Sequence, residues 1–86
     1  MKYVMFKQGP LYMPIIFPDH VTHSQVKVDG AVPDSAGFMR IGFESKIVTV
    51  YGRSESLNIG RKDHDQQLLQ NVLNNCGMMF FMNALE

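Results

Sequence analysis

The stretch Ser35-Ala36-Gly37-Phe38-Met39-Arg40-Ile41-Gly42-Phe43-Glu44-Ser45-Lys46-Ile47-Val48-Thr49-Val50-Tyr51 decides the fold. Ser35 to Gly42 and Lys46 to Tyr51 read as strands. The second carries the β-branched run Ile47, Val48, Thr49 and Val50, whose stiff side chains suit a pleated surface better than a helix. Gly42 to Ser45 is the connecting turn, so the two segments form a hairpin, expected at the centre of a sheet.

Upstream, Lys2 to Lys7 places Tyr3 and Met5 on one side and Val4 and Phe6 on the other, the alternation of a strand covered on at least one face. Gly9-Pro10 turns the chain, and Tyr12 to Phe17 returns antiparallel to the first strand. Pro14 has no ladder donor, which assigns this strand to an edge or a bulge. After Pro18-Asp19-His20, Thr22 and Gln25 make a capping-box pattern, and Val21 and Val26 occupy the staple positions. This predicts a short helix over His23 to Val28; a strand through Gln25 to Val28 is the competing reading, and Gly30 ends either.

Downstream, Gly52 interrupts the hairpin pattern, and Ser56 to Ile59 returns as a short strand with Leu57 and Ile59 inward. Leu68, Leu69, Val72, Leu73 and Cys76 then form one apolar stripe opposite Gln66, Gln67, Gln70, Asn71 and Asn74, the signature of an amphipathic helix closed by Gly77. Its start is set either by Gly60 with Asp63 or by Asp63 with Gln66 as cap and third position. Met78 to Met82 is an uncharged apolar run that forms a last strand or an exposed contact surface. The expected fold is α+β: a mostly antiparallel sheet of four to five strands in the order β-β-α-β-β-α, with the C-terminal helix packed on one face. Residues 1–84 make a single domain, and Leu85-Glu86 matches what a cloning junction before a purification tag leaves.

Composition narrows the class. The chain has 86 residues, 45% apolar and 19% charged, the balance of an ordinary globular protein. Its 8 basic and 8 acidic side chains cancel, so no uniform field draws it to nucleic acid or to an anionic membrane. The lone cysteine, Cys76, excludes an internal disulfide and fits a reducing, cytoplasmic setting. Lys7, Gln8 and Gly9-Pro10 cut the N-terminal apolar segment too short for a signal or membrane span.

Residues with chemical potential are few. Asp19, His20, His23, His64 and Cys76 are the ligand types zinc uses, but only His20 and His23 are close in sequence, so surface or capping roles are expected and no metal or cofactor is assigned. Cys76 lies on the apolar stripe, where a buried thiol is inert. Ser54 and Ser56 lack a nucleophile elbow, and Gly37, Gly42, Gly52 and Gly60 lack a phosphate-cradling spacing. No carboxylate pair stands out, and the expectation is that the protein is not an enzyme. The run Gly37 to Phe43 is similar to the glycine-aromatic strand of RNA-recognition motifs, and Arg40, Arg53, Arg61 and Lys62 could gather at one end of the sheet.

Three segments carry a wider likeness: Ser35-Ala36-Gly37-Phe38; Tyr51-Gly52-Arg53-Ser54-Glu55-Ser56-Leu57-Asn58-Ile59; and Gly60-Arg61-Lys62-Asp63-His64-Asp65, together with Phe17-Pro18-Asp19. These resemble the SAGF, YGxSxSLxL and SRPxD runs of small uncharacterised bacterial and prophage proteins. The resemblance implies a phage-associated or bacterial cytoplasmic origin and brings no activity. Gly60 and Lys62 stand where the pattern has Ser and Pro, and His64 where it has Asp. A structural linker accounts for these segments, with a binding site at Tyr51, Arg53, Ser54, Ser56, Arg61 and Asp63 as the functional alternative. The leading expectation is a non-enzymatic protein-interaction or accessory module, its partner another protein or a second copy, using Met78 to Met82 or the Pro14 edge strand; no membrane is involved. A nucleic-acid-binding module using Arg40, Arg53, Arg61 and Lys62 is the alternative.

Overall fold

Tyr3, Val4, Met5 and Phe6 are all buried, two on each side of one strand, so that strand requires neighbours on both flanks and cover over both faces. The computed structural model, which describes residues 1–76, supplies both. Strands Lys2–Gln8 (β1), Leu11–Phe17 (β2), Val32–Ile41 (β3) and Val48–Tyr51 (β4) form one antiparallel sheet in the order β2-β1-β3-β4. A two-stranded ribbon, Arg53–Ser54 (β5) and Ile59–Gly60 (β6), follows, and a single helix, Asp65–Cys76 (α1), ends the described chain. The fold is α+β. No helix among the described residues is long and apolar enough to cross a membrane.

Two apolar layers result. On one face Leu69 and Leu73 of α1 pack over Tyr3, Met5, Ile16, Met39 and Val48, so the C-terminal helix lies where its stripe directs it. On the other, Val21, Val26, Val28, Ala31, Leu57 and Ile59 lie over Val4, Phe6, Phe17 and Ala36. Gly9, at φ +58°, opens a two-residue β1–β2 turn bounded by the pair Gln8 and Leu11. Counting alternate pairs from that closure puts Pro14 at a non-hydrogen-bonded position, so its missing N–H falls on the outer edge. Asp34 is the extra residue of a bulge, since Met5 pairs with Ser35 and Phe6 with Pro33.

Several expectations are corrected. The hairpin of β3 and β4 is not central: among the described residues β1 and β3 are the inner strands, and β4 is an edge. The helix expected over His23 to Val28 is a single 3₁₀ turn, His23–Gln25, so the described residues hold one α-helix rather than two. The capping contact exists, with Gln25 Oε1 accepting from the Thr22 N–H at 2.8 Å. The turn does not propagate because Val26 is extended, which carries Val26 and Val28 down onto the apolar layer. That segment makes no ladder, so the strand reading of 25–28 fails too.

Of Ser56 to Ile59, only Ile59 lies in a strand, as the first residue of β6. Asn58, at φ +55°, sits in the turn of the β5–β6 ribbon, although Leu57 and Ile59 do pack inward. Neither expected cap starts α1: Asp65 reaches back to the Lys62 N–H at 3.0 Å, the acidic half of a capping box, two residues after the pair Gly60 and Asp63 and one before Asp63 and Gln66. Gly77, Met78 to Met82 and Leu85-Glu86 lie outside the described residues, as does the side chain of Cys76.

Candidate functional site

The three segments 35–38, 51–59 and 60–65 meet in space. Asp65 is fully buried at the start of α1; its Oδ1 accepts from Ser35 Oγ at 2.8 Å, and its Oδ2 from Tyr3 Oη at 2.7 Å and from the Lys62 N–H. One carboxylate thereby ties β1, β3 and the helix start together. Burial, and then the hydrogen bond to Asp65, hold the Tyr3 phenol well above its ordinary pKa. The His64 Nε2 lies 3.4 Å from Asp65 Oδ1 without hydrogen-bonding geometry.

Arg61 performs a second tie. Its Nε donates to the Gly52 carbonyl at 3.0 Å and its Nη1 to the Val50 carbonyl at 3.4 Å. The stem crosses Gly37, where an added Cβ would stand 3.0 Å from Arg61 Cγ and 3.0 Å from the Tyr51 carbonyl oxygen. Gly52, at φ +68°, takes the left-handed region that lets the chain leave the sheet, and the Phe38 ring lies 2.8 Å from where its Cβ would be. Glycine at 37 and 52 is therefore required by close approach, not by a bound phosphate.

The six candidate binding residues separate. Ser54 is fully buried, its Oγ accepting from the Leu57 N–H at 3.1 Å. The exposed Ser56 Oγ accepts from the Ser24 N–H at 3.2 Å and pins the ribbon to the 3₁₀ turn. Arg53, Arg61 and Asp63 line one open groove of about 680 Å³ with Val50, Lys62 and Gln66. Arg53 also bonds Asn58 Oδ1 at 2.8 Å, and it borders a second groove of about 480 Å³ walled by Lys2, His23, Phe38, Glu55 and Ser56. Tyr51 lines neither; it stacks on Phe38 with centroids 5.7 Å apart, and the Arg40 guanidinium lies 5.3 Å over its ring. Of the four cations expected at one end of the sheet, Arg53, Arg61 and Lys62 border the first groove and Arg40 does not; Lys62 is drawn to Asp34 at 2.7 Å and Arg61 to the backbone. The Asp34 hydrogen bond holds the Lys62 ammonium above its ordinary pKa.

The edge of β4 is closed by side chains. Val48 and Val50 turn their backbone groups away from β3, and their N–H groups donate to Gln70 Oε1 at 2.7 Å and Gln66 Oε1 at 3.2 Å. Gln70 Nε2 donates in turn to the Lys46 carbonyl at 2.9 Å, and Arg61 takes the Val50 carbonyl. Gln66 and Gln70, one turn apart on the polar side of α1, act here in place of a further strand.

Among the described residues the β3–β4 face opposite α1 is open, and Leu11 and Val32 are exposed as well, at 61% and 64%. By register Ile47, Thr49 and Tyr51 share the β3–β4 face with Phe38 and Arg40. Ile47 is 57% exposed, Tyr51 42%, and Phe43 at the hairpin tip 88%. Outward alternation in the β-branched run could have found Ile47, but nothing in the sequence marked Phe43 as uncovered. The histidines are dispersed: His20 is exposed, and His23 is buried with Nε2 donating to the Gly37 carbonyl at 2.8 Å, between the edges of Phe17 and Phe38. Among the described residues no group of three His, Cys, Asp or Glu side chains is placed to hold a metal ion. Compared with family models, curated proteins and solved structures, the chain matches none.

Proposed function

We propose that this protein is a non-enzymatic module that binds another protein through the open face and tip of the β3–β4 hairpin. The carrying observation is the set Phe43, Ile47 and Tyr51, uncovered among the described residues and set beside Arg40; the other exposed large apolar side chains, Leu11, Tyr12 and Val32, lie around the β1–β2 turn and the start of β3, away from the hairpin tip. Tyrosine, phenylalanine and arginine are the residue types that dominate the centres of protein interfaces. The edges support a face-on mode. Pro14 removes a donor from the β2 edge, and Gln66, Gln70 and Arg61 occupy that of β4, so strand addition is disfavoured on both sides. The nucleic-acid reading has less support, because Arg61 and Lys62 are engaged internally.

The test is a photo-crosslinking phenylalanine analogue placed at position 43 or 47 and, as a control, at the exposed Gln67 of α1. Protein adducts are expected from the hairpin positions alone. Binding of the captured protein, once purified, should weaken about tenfold or more in Tyr51→Ala or Phe43→Ser, with the circular dichroism spectrum unchanged. Adducts of equal yield at 67, adducts to nucleic acid, or none at all would overturn the reading; adducts to a second copy of the chain would make it a homodimer instead.

A further inference from the structure

The open hairpin carries its cations and its rings in matched pairs. From tip to base, Lys46 Nζ lies 5.3 Å from the Phe43 ring centroid, the Arg40 guanidinium 5.3 Å from that of Tyr51, and Lys2 Nζ 5.8 Å from that of Phe38. The series ends at the groove between Phe38, His23 and Arg53. Among the described residues none of Lys2, Arg40, Lys46 or Arg53 has a carboxylate within ion-pair distance, although Lys2 Nζ donates to the Val21 carbonyl at 2.9 Å and Arg53 to Asn58 Oδ1 at 2.8 Å. Glu44 in the turn and Glu55 on the groove are the acids of the same region, so cations outnumber carboxylates there although the whole chain is neutral. A cation already resting on a ring has lost part of its freedom before a partner arrives, which lowers the cost of ordering it.

We infer that this surface takes an acidic, aromatic-bearing segment of a protein partner, its carboxylates meeting Arg40, Arg53 and Lys2 and its apolar side chains lying on Tyr51 and in the groove beside Phe38. The inference rests on the protein-binding reading above. Charge complementarity selects the partner: a basic segment meets four like charges, which is an active discrimination and not merely a missing attraction. A carboxylate-bearing peptide also suits the apolar Ile47, which offers nothing to a phosphate and little area to a base.

The test uses the full chain, labelled with ¹⁵N, and three probes: a hexapeptide of two Glu-Glu-Phe triplets, its Lys-Lys-Phe counterpart, and a ten-nucleotide oligo-dT. The acidic peptide should shift amides concentrated at Phe38, Arg40, Tyr51 and Arg53, with weaker binding at higher salt. Arg40→Glu with Arg53→Glu should weaken it about tenfold, as expected for two partly exposed pairs turned repulsive, whereas Lys27→Glu, outside this surface, stays within about twofold. No shift with the acidic peptide, equal binding of the basic one, or tighter binding of oligo-dT would each overturn the inference. Crosslinks from positions 43 and 47 in the face of a silent acidic peptide would sink the partner chemistry alone and leave the protein-binding reading standing.

Discussion

Replacing Asp65 by alanine is the perturbation that most directly questions how the molecule is held together. Three donors would lose their acceptor at once: the Tyr3 and Ser35 hydroxyls, both in fully buried residues, and the Lys62 N–H. A hydrogen bond to a charged group contributes about 1.5–3 kcal/mol, so the gross loss is about 5–9 kcal/mol, offset by no longer burying a charge. The two hydroxyls can also turn toward each other. A net cost of about 3–5 kcal/mol remains, a large share of the roughly 4–13 kcal/mol expected for a domain of this length. Asp65→Asn should cost only about 1–2 kcal/mol, because its oxygen can serve Tyr3 and Lys62 while the Ser35 hydroxyl rotates to accept from its amide.

The assay is equilibrium urea unfolding followed by circular dichroism, since the chain has no tryptophan. With a slope of about 1 kcal/mol per molar urea, the alanine variant should lose about 3–5 M from its midpoint or be unfolded at the outset. In a double-mutant cycle, Tyr3→Phe should be coupled to the asparagine variant by about 1 kcal/mol. An alanine variant within about 1 kcal/mol of the parent, or an asparagine variant as damaged as alanine, would refute the reading of Asp65 as the tie between β1, β3 and α1.

Alkaline pH should act through the same cluster. A phenol whose pKa is raised in the folded state contributes stability that is complete below its unfolded value of about 10 and is lost as pH rises above it, by about 1.4 kcal/mol per pH unit. Unfolding measured at pH 9 and pH 11 should show this decline in the parent and a shallower one in Tyr3→Phe; parallel slopes would contradict it. The closed edge gives a separate expectation. Gln66→Ala with Gln70→Ala should cost about 1–2 kcal/mol and make sedimentation depend on concentration as the freed β4 edge pairs with itself, while a strictly monomeric double variant would show that the glutamines are not what keeps the edge closed.

Much of the sheet was legible because its signals are local. The alternation of Tyr3, Val4, Met5 and Phe6, the Gly9-Pro10 turn, Pro14 at an edge and the stripe of α1 each follow from a residue and its near neighbours. The helix expected at His23 to Val28 failed for a non-local reason. Val26 and Val28 gain more by covering Phe6 and Ala36 than one turn gains by lengthening, and His23 finds its acceptor on Gly37, far along the chain. The site was harder still. Ser54 and Arg61 drew attention by type, yet one is buried in its own turn and the other fastened to the carbonyls of Gly52 and Val50, neither of which spacing can reveal. Phe43 reads as part of a turn and Ile47 as part of a β-branched strand, and an apolar side chain does not announce that its cover is missing. The Tyr3–Ser35–Asp65 tie left no trace in any window of sequence, because its members come from three distant segments.

That tie also sets an order of events during synthesis. Tyr3 is made first and Ser35 follows, but the carboxylate that both require lies 30 residues beyond Ser35. At ribosomal speeds of about 5–20 residues per second, a nascent chain carries the two hydroxyls without their acceptor for roughly 2–6 s. Met5, Met39 and Val48 meanwhile lack the leucines of α1 that will cover them. The sheet can align its strands in that interval, yet the face destined for the helix stays wet and adhesive until the last segment emerges. A nascent chain stalled before Asp65 should therefore be recognised by chaperones as unfinished, and one stalled after Cys76 has left the tunnel should not.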